Sequence, residues 1–317
     1  MLSISMAKNQ VKILRQAIDG VLLLDKPVGW SSNDALIKVK RLLNAKKAGH
    51  TGTLDPFATG LLPLCFGEAT KFAQDLLDAD KSYEAIVHLG IKTTTGDTEG
   101  EVLETHAVDV TQNQIDAVLL QFVGEIDQVP PMYSALKRDG KPLYEYARAG
   151  LTLDREARRV HIHALECIQY RAPHLTIRVT CSKGTYIRVL GEDIGAVLGC
   201  GAHLQALRRT QVGALLLKDA LTLDAMIEMP ESLRSQSLAP VDALLSSFPE
   251  IFLPELLSAR FLQGQRLSLV KEGMTLPVEQ GRTMVYRQND RRLLGTGQIV
   301  EFGVLAPERL ISTHTSA

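Results

Sequence analysis

The 317-residue chain carries 35 basic and 36 acidic side chains for a net charge of −1, with 45% hydrophobic and 22% charged residues, which is ordinary globular composition and excludes a disordered or low-complexity chain. Its length allows two folded units with a sizeable core. The cysteines (Cys65, Cys167, Cys181, Cys200) form no close pair, which excludes a disulfide framework and a zinc site of usual spacing, and no apolar run is long enough to span a bilayer.

Residues 1–20 read as an N-terminal extension without the continuous apolar core of a signal peptide, so a soluble, cytoplasmic protein with reduced thiols is expected. Val21 to Leu24 is an aliphatic run ending at Lys26-Pro27, a buried strand leading into a loop. Ser31, Ser32, Asn33 and Asp34 offer N-caps to a helix with Leu36, Val39, Leu42 and Leu43 on one face. Lys38, Lys40, Arg41, Lys46 and Lys47 crowd this stretch with no acid among them. Asp75, Asp78, Asp80, Asp97, Glu99, Glu101 and Glu104 gather elsewhere, so the near-zero net charge conceals one expected cationic face. A solvated helix surface explains isolated lysines equally well.

Gly49-His50-Thr51-Gly52-Thr53-Leu54-Asp55-Pro56-Phe57-Ala58-Thr59-Gly60 then sets a lone carboxylate, Asp55, on a glycine-bounded turn beside a histidine. The glycines permit backbone angles closed to other residues, and Pro56 pushes Asp55 toward an extended conformation. Asp-Pro framed by Gly and Thr is also ordinary turn chemistry. Ala69, Phe72, Ala73, Leu76 and Leu77 predict a second helix, and Tyr83, Ala85, Val87 and Leu89 alternate as a half-buried strand. Ile115, Val118, Leu119 and Phe122 predict another helix.

From about 128 to 152, proline and glycine punctuate an irregular insertion. Tyr133, Lys137, Arg138, Lys141, Tyr144, Tyr146 and Arg148 interleave aromatic and basic side chains there, the mix that stacks on unpaired bases and neutralises phosphates. Tyrosines packing back onto the core are the alternative. Segments near 159–168 and 174–182 alternate as strands, 184–198 is a loop running into a helix, and 221–247 reads as closing helices. Beyond a boundary near Phe248-Pro249, short strands are expected with Gly264, Gly273, Gly281, Gly295, Gly297 and Gly303 as turns. Without the regular alternation of a parallel α/β sheet, the fold class is α+β with a mixed or antiparallel central sheet. The expected units are 21–248, carrying the chemistry and the insertion, and a small β-rich unit over 249–317.

Five blocks occur in the order and at the spacing of one family: Val21-Leu22-Leu23-Leu24-Asp25-Lys26-Pro27, the turn at 49–60, Asp80-Lys81-Ser82-Tyr83, Pro130-Pro131-Met132-Tyr133-Ser134-Ala135-Leu136-Lys137, and Cys181-Ser182-Lys183-Gly184-Thr185-Tyr186-Ile187-Arg188. Over roughly residues 20–245 the chain resembles the TruB family of tRNA pseudouridine synthases. The resemblance implies the pseudouridine synthase fold and an isomerase acting on uridine 55 in the T loop of tRNA, with no cofactor, no metal and no obligate protein partner. The shared number with Asp55 is coincidence. More loosely, 249–317 resembles the RNA-binding PUA domain of these enzymes; a purely structural β cap is the other reading.

The resemblance further implies Asp55, Tyr83 and Arg188 as the catalytic set. Asp55, ionised at neutral pH with an ordinary pKa of ~3.9, attacks the nucleotide or removes a sugar proton. Arg188 holds it by paired hydrogen bonds, since an unpaired buried charge is expensive. Tyr83 lies beneath a uracil extruded from the loop, its hydroxyl available to relay a proton, with Tyr186 and Leu207 as further uracil contacts and His50 stacking near the displaced loop. Lys26 and Lys71 are support or phosphate contacts, and the insertion is a flexible thumb over the RNA. His161 and His163 alternate on a strand with no third metal ligand near them. Competing readings are a guide-RNA-dependent synthase, a non-catalytic tRNA-binding or folding protein, and a hydrolase releasing uracil. The thumb and the absence of long charged tails favour a stand-alone synthase.

Overall fold

The structure is a computed structural model that describes residues 14–275 and 280–312; expectations for residues 1–13 lie outside the described residues. β1 (Gly20–Lys26) is the expected first strand. α1 (Ser32–Leu42) follows its cap Ser31, whose hydroxyl accepts from the Asp34 amide, and buries Ala35, Leu36 and Val39. β2 (Ala48–His50) and β3 (Thr59–Phe66) flank the Asp55 turn. The single helix expected over 69–77 is instead a 3₁₀ turn (Gly67–Lys71) and a short α2 (Ala73–Leu77). They are separated where Phe72 leaves helical geometry at φ −105°, ψ 3° and sinks fully into the core.

β4 (Lys81–Leu89) alternates as expected, and β5 (Ile91–Thr93) pairs with β6 (Val102–Thr105) in a separate hairpin. α3 (Gln112–Gln121) starts with a reciprocal Thr111–Gln114 capping box and leads to β7 (Gly124–Gln128). The insertion is more ordered than its punctuation suggests: β8 (Lys137–Arg138) and β9 (Lys141–Pro142) form a hairpin, and α4 (Leu143–Arg148) anchors through buried Leu143. β10 (Arg158–Arg171), β11 (His174–Cys181) and α5 (Ile187–Val197) match expectation. β12 (Ala202–Val212), in a stretch for which no element was expected, is a long strand. Register shifts at Leu204/Ala206 and Arg209/Gln211 break its period of two, and two arginines sit mid-strand. After β13 (Leu215–Leu216) and β14 (Leu221–Thr222), the expected closing helices are only the short α6 (Leu223–Glu228) and α7 (Glu231–Arg234) with 3₁₀ turns.

These strands build a mixed ten-stranded sheet in the order β14-β1-β3-β12-β4-β11-β10-β7, with β2 beside β3 and β13 beside β12. β1/β14 and β3/β12 are parallel, and the other pairs antiparallel. The α+β class is as expected. β3 was hidden by Gly60 and Pro63, both strand-breaking signals. Pro63 is tolerated because it falls between the part of β3 paired with β12 (Thr59, Gly60) and the part paired with β2 (Leu64 to Phe66).

Period-two alternation sends the two faces of β1 and β3 into different cores. Leu22, Leu24, Leu62 and Leu64 pack under α1, α3, α5 and α6. Val21, Leu61 and Cys65 face the opposite way, against Phe72, Leu76, Leu244 and Leu245, joined by Met284 and Tyr286 of β17 (Gly281–Arg287). β17 belongs to a second sheet with β15 (Glu250–Leu253), β16 (Leu267–Ser268), β18 (Leu293–Val300) and β19 (Val304–Leu310), in the order β15-β17-β18-β19-β16. An unforeseen helix, α8 (Glu255–Leu262), packs on this sheet through Leu257 and Phe261. Gly295 and Gly297 are not turns but lie inside β18, where a Cβ on Gly295 would stand 2.0 Å from the Arg309 carbonyl oxygen. No helix of the described residues is long and apolar enough to cross a membrane.

Candidate active site

Asp55 opens a four-residue turn in which the Ala58 amide donates to the Asp55 carbonyl (3.1 Å) and Pro56 takes the position its fixed φ suits. Ser32 Oγ accepts the Leu54 amide (2.7 Å) and donates to the Leu54 carbonyl (3.0 Å), locking the turn to α1. On the other side Pro56 receives the Gly29 amide (2.8 Å) and the Lys26 ammonium (3.4 Å). Lys26 is buried and also donates to the carbonyls of Trp30 (2.6 Å) and Pro27 (2.9 Å), so it supports the turn and has no access to a phosphate. Burial lowers that ammonium to about 8, against the opposing charges of Asp55 and Glu99. Of the three glycines, Gly52 (φ 89°) and Gly60 (φ 101°) use the left-handed region; Gly49 lies in β2 and needs no such freedom.

Arg188, in the first turn of α5, meets Asp55 through a single Nε–Oδ2 contact of 3.0 Å, where sequence implied a paired one. Its other nitrogens are also engaged: Nη1 by the Thr95 carbonyl (3.0 Å) and Asp97 Oδ2 (3.4 Å), Nη2 by the Tyr133 carbonyl (2.6 Å). The Asp55 side chain stays 36% exposed, against 5% for Arg188 and 2% for Asp97, so the open approach to the cluster is over Asp55. Burial pushes the Asp55 carboxyl above its ordinary value; Arg188 and Lys26 pull it back, and Asp97 adds to the push.

Asp97 and Glu99, grouped by sequence with a remote acidic set, are thus part of the site's electrostatics. The signal for Asp97 was its frame: Thr95-Gly96-Asp97-Thr98 repeats in miniature the glycine- and threonine-flanked setting of Asp55.

Tyr83 and Leu207 lie on neighbouring strands, Tyr83 paired with Arg209 and Leu207 with Ala85, and both face the helix-covered core at 9% and 8% exposure. Tyr186 is the N-terminal cap of α5, its amide donating to Gln128 Oε1 (3.0 Å), which ties the base of the insertion to the site. His50 stands on β2 with Nδ1 buried and unpartnered among the described residues; burial, then the Arg209 charge, lowers its pKa and keeps the ring neutral at physiological pH.

Lys71 is not brought to this cluster. Its ammonium bonds Glu68 Oε2 (2.6 Å), the Leu310 carbonyl (2.9 Å) and Ser312 Oγ (2.9 Å), so its charge serves the junction with the C-terminal sheet. In the insertion, Arg148 stacks over Tyr144 and the Tyr146 hydroxyl donates to the Arg138 carbonyl, so these tyrosines engage the insertion itself. His163 pairs with Asp80 (3.2 Å), and among the described residues no group of three or more His, Cys, Asp or Glu is placed to hold a metal.

A solvent-facing carboxylate backed by a buried cation, with the Tyr83 and Tyr186 rings near enough to feel its charge, suits nucleophilic or proton-abstracting attack on an extruded nucleotide.

Residues 40–187 match the TruB family pseudouridylate synthase N-terminal domain, 188–246 the tRNA pseudouridylate synthase B C-terminal domain, and 249–311 the Pseudouridine synthase II TruB C-terminal family. The chain is 62% identical over 304 residues to the tRNA pseudouridine synthase B of Burkholderia mallei, covering 95% of this chain and 97% of that one. It is 60% identical over 321 residues to that of Ralstonia pickettii, covering 96% and 99%. Among solved structures it resembles a chain of a Cbf5-Nop10-Gar1 complex (TM-score 0.71, 26% identity, 92% of this chain and 84% of that one). A chain of an H/ACA RNP bound to a substrate RNA containing 2'-deoxyuridine is similar to it at TM-score 0.70 and 26% identity, over 92% and 85%. Identity above 60% along nearly the whole length leaves one assignment: the chain belongs to the TruB family of pseudouridylate synthases.

Proposed function

We propose that this protein isomerises uridine 55 in the T loop of tRNA to pseudouridine, with Asp55 as the catalytic carboxylate. The observation that carries the reading is the Asp55–Arg188 pair, open to solvent on the Asp55 side only and set on a turn braced by Ser32, Gly29 and Lys26. The uridine leaves its stack, and Tyr83, Leu207 and Tyr186 offer the surfaces that compensate the lost stacking. Asp55 acts ionised on the exposed nucleotide, the uracil is freed from nitrogen, turns, and is rejoined through carbon. His50, neutral beside the cleft, packs against the displaced loop. The insertion closes over the RNA with its exposed Lys137, Arg138 and Lys141 on phosphates.

The names of the most similar relatives support tRNA as the substrate class. They also favour stand-alone action over guided action, since the resemblance to a chain of an H/ACA RNP is only 26%. Incubating the pure protein with unmodified tRNA, without guide RNA, and mapping pseudouridine at nucleotide resolution tests this directly. The expected product is one pseudouridine at position 55. No conversion, or conversion only with an added guide RNA, sinks the reading.

A further inference from the structure

Arg209 is the bulkiest fully buried side chain of the described residues, 1% exposed in the middle of β12. A guanidinium at that depth is costly unless anions or a full set of acceptors meet it. Arg188 has Asp55 and Asp97; Arg209 has no carboxylate partner among the described residues. Nε donates to the Leu61 carbonyl (2.8 Å) and Nη2 to the Gly52 carbonyl (3.3 Å). The sheet register places Arg209 opposite Tyr83 on β4 and opposite Gly60 on β3, between the aromatic platform and the Asp55 loop. Gly52 itself is held in the left-handed region (φ 89°), and its Cβ position lies at ordinary contact distance, 3.5 Å, from Nη1, so the loop backbone packs directly on the guanidinium. Burial raises the Tyr83 phenol, and the charge of Arg209 is the first force opposing that rise.

Resting on the function proposed above, we propose that Arg209 is a positioning residue of the isomerisation. Its unpaired cation holds the Tyr83 hydroxyl beneath the extruded uracil and couples Tyr83 to the loop that carries Asp55. The negative charge that develops near Tyr83 only during turnover, when uracil is loosened from its sugar, then meets a cation already in place, and no group has to reorganise to supply it. This also accounts for a strand-centre arginine with no acid beside it: a carboxylate partner would cancel the field the site uses.

The test is a double-mutant cycle on the full chain, measuring single-turnover conversion of unmodified tRNA, with long incubations for slow variants, and tRNA affinity by filter binding. Arg209→Gln is expected to slow conversion about a hundredfold while tRNA affinity stays within about threefold. In a Tyr83→Phe background the same substitution should cost less than about threefold, because its target hydroxyl is already gone. Arg209→Lys, which keeps the charge, should recover part of the rate. Fully additive losses, or a loss expressed in affinity and not in rate, overturn the proposal. If Arg209→Gln does not fold, Arg209→Lys carries the same cycle; failure of both to fold assigns the guanidinium to structure alone and also overturns it. A wild-type protein that forms no pseudouridine in tRNA defeats the functional reading instead, so the two failures are distinct.

Discussion

Opposing forces act on the proton of Asp55: burial and Asp97 favour the neutral acid, Arg188 and Lys26 the carboxylate, and the balance lies above the ordinary value. A carboxyl held high in the folded protein contributes its stability in full below its unfolded pKa of ~3.9, and that contribution is lost as pH rises through the folded value. Asp55→Asn should therefore melt no lower than wild type at neutral pH, with the difference shrinking on acidification; a clearly lower melting temperature for the Asn variant would contradict the burial argument. On the proposed function activity runs the other way, because Asp55 is proposed to act in its ionised form. The wild-type rate should fall on an acid limb centred above ~3.9. Asp55→Asn should abolish isomerisation yet keep tRNA affinity within about tenfold, ~1.4 kcal/mol, because phosphate contacts dominate binding. Arg188→Lys retains charge but cannot serve Asp55, Asp97, Thr95 and Tyr133 at once. We expect a loss of single-turnover rate of about a hundredfold or more; near-normal rate would show that the guanidinium fork has no role.

At the scale of elements, the site depends on how closely β3 and β12 approach. A Cβ on Gly60 would stand 2.3 Å from the Arg209 carbonyl oxygen and 2.7 Å from its amide nitrogen, and φ there is 101°. Gly60→Ala combines backbone strain with a clash that only strand separation relieves, so a destabilisation of about 3 kcal/mol is expected in urea unfolding. The same separation moves the Asp55 turn away from Tyr83, and activity should drop further than stability alone explains. A variant with wild-type stability would mean the two strands part at little cost. Gly49→Ala is the control, because nothing stands within 4 Å of its Cβ position.

For the whole molecule, the boundary expected near 248 separates two sheets, and the C-terminal sheet keeps a core of its own around Leu253, Phe261, Val285 and Leu305, but a further apolar cluster spans the junction. Met284 and Tyr286 lie in the same apolar cluster as Val21, Leu61, Phe72 and Leu76. Polar ties reinforce that junction, from Tyr286 to Asp242 (2.8 Å), from Arg282 to Asp75 and from Lys71 to the Leu310 carbonyl (2.9 Å). Deleting residues 250–317 should uncover this face, giving an aggregating fragment or one that melts well below the full chain by calorimetry. A monomeric fragment with an unchanged melting temperature would show the C-terminal sheet to be a separable unit.

What the sequence determined by itself is local. Asp55 on a proline-glycine turn, α1 behind Ser31, the alternation of β4 and the loop that presents Arg188 were legible because each rests on neighbours a few residues apart, through caps, turns and periodicity. The tertiary structure alone decided what depends on partners distant in the chain. β3 and β12 are strands despite Pro63 and two bulges because neighbouring strands satisfy their backbones. Lys71 left the site because the Leu310 carbonyl and Ser312 take its charge. Asp97 entered it because Arg188 has more donors than Asp55 can fill, and Arg209 lies opposite Tyr83 only through a strand register that no stretch of neighbouring residues encodes.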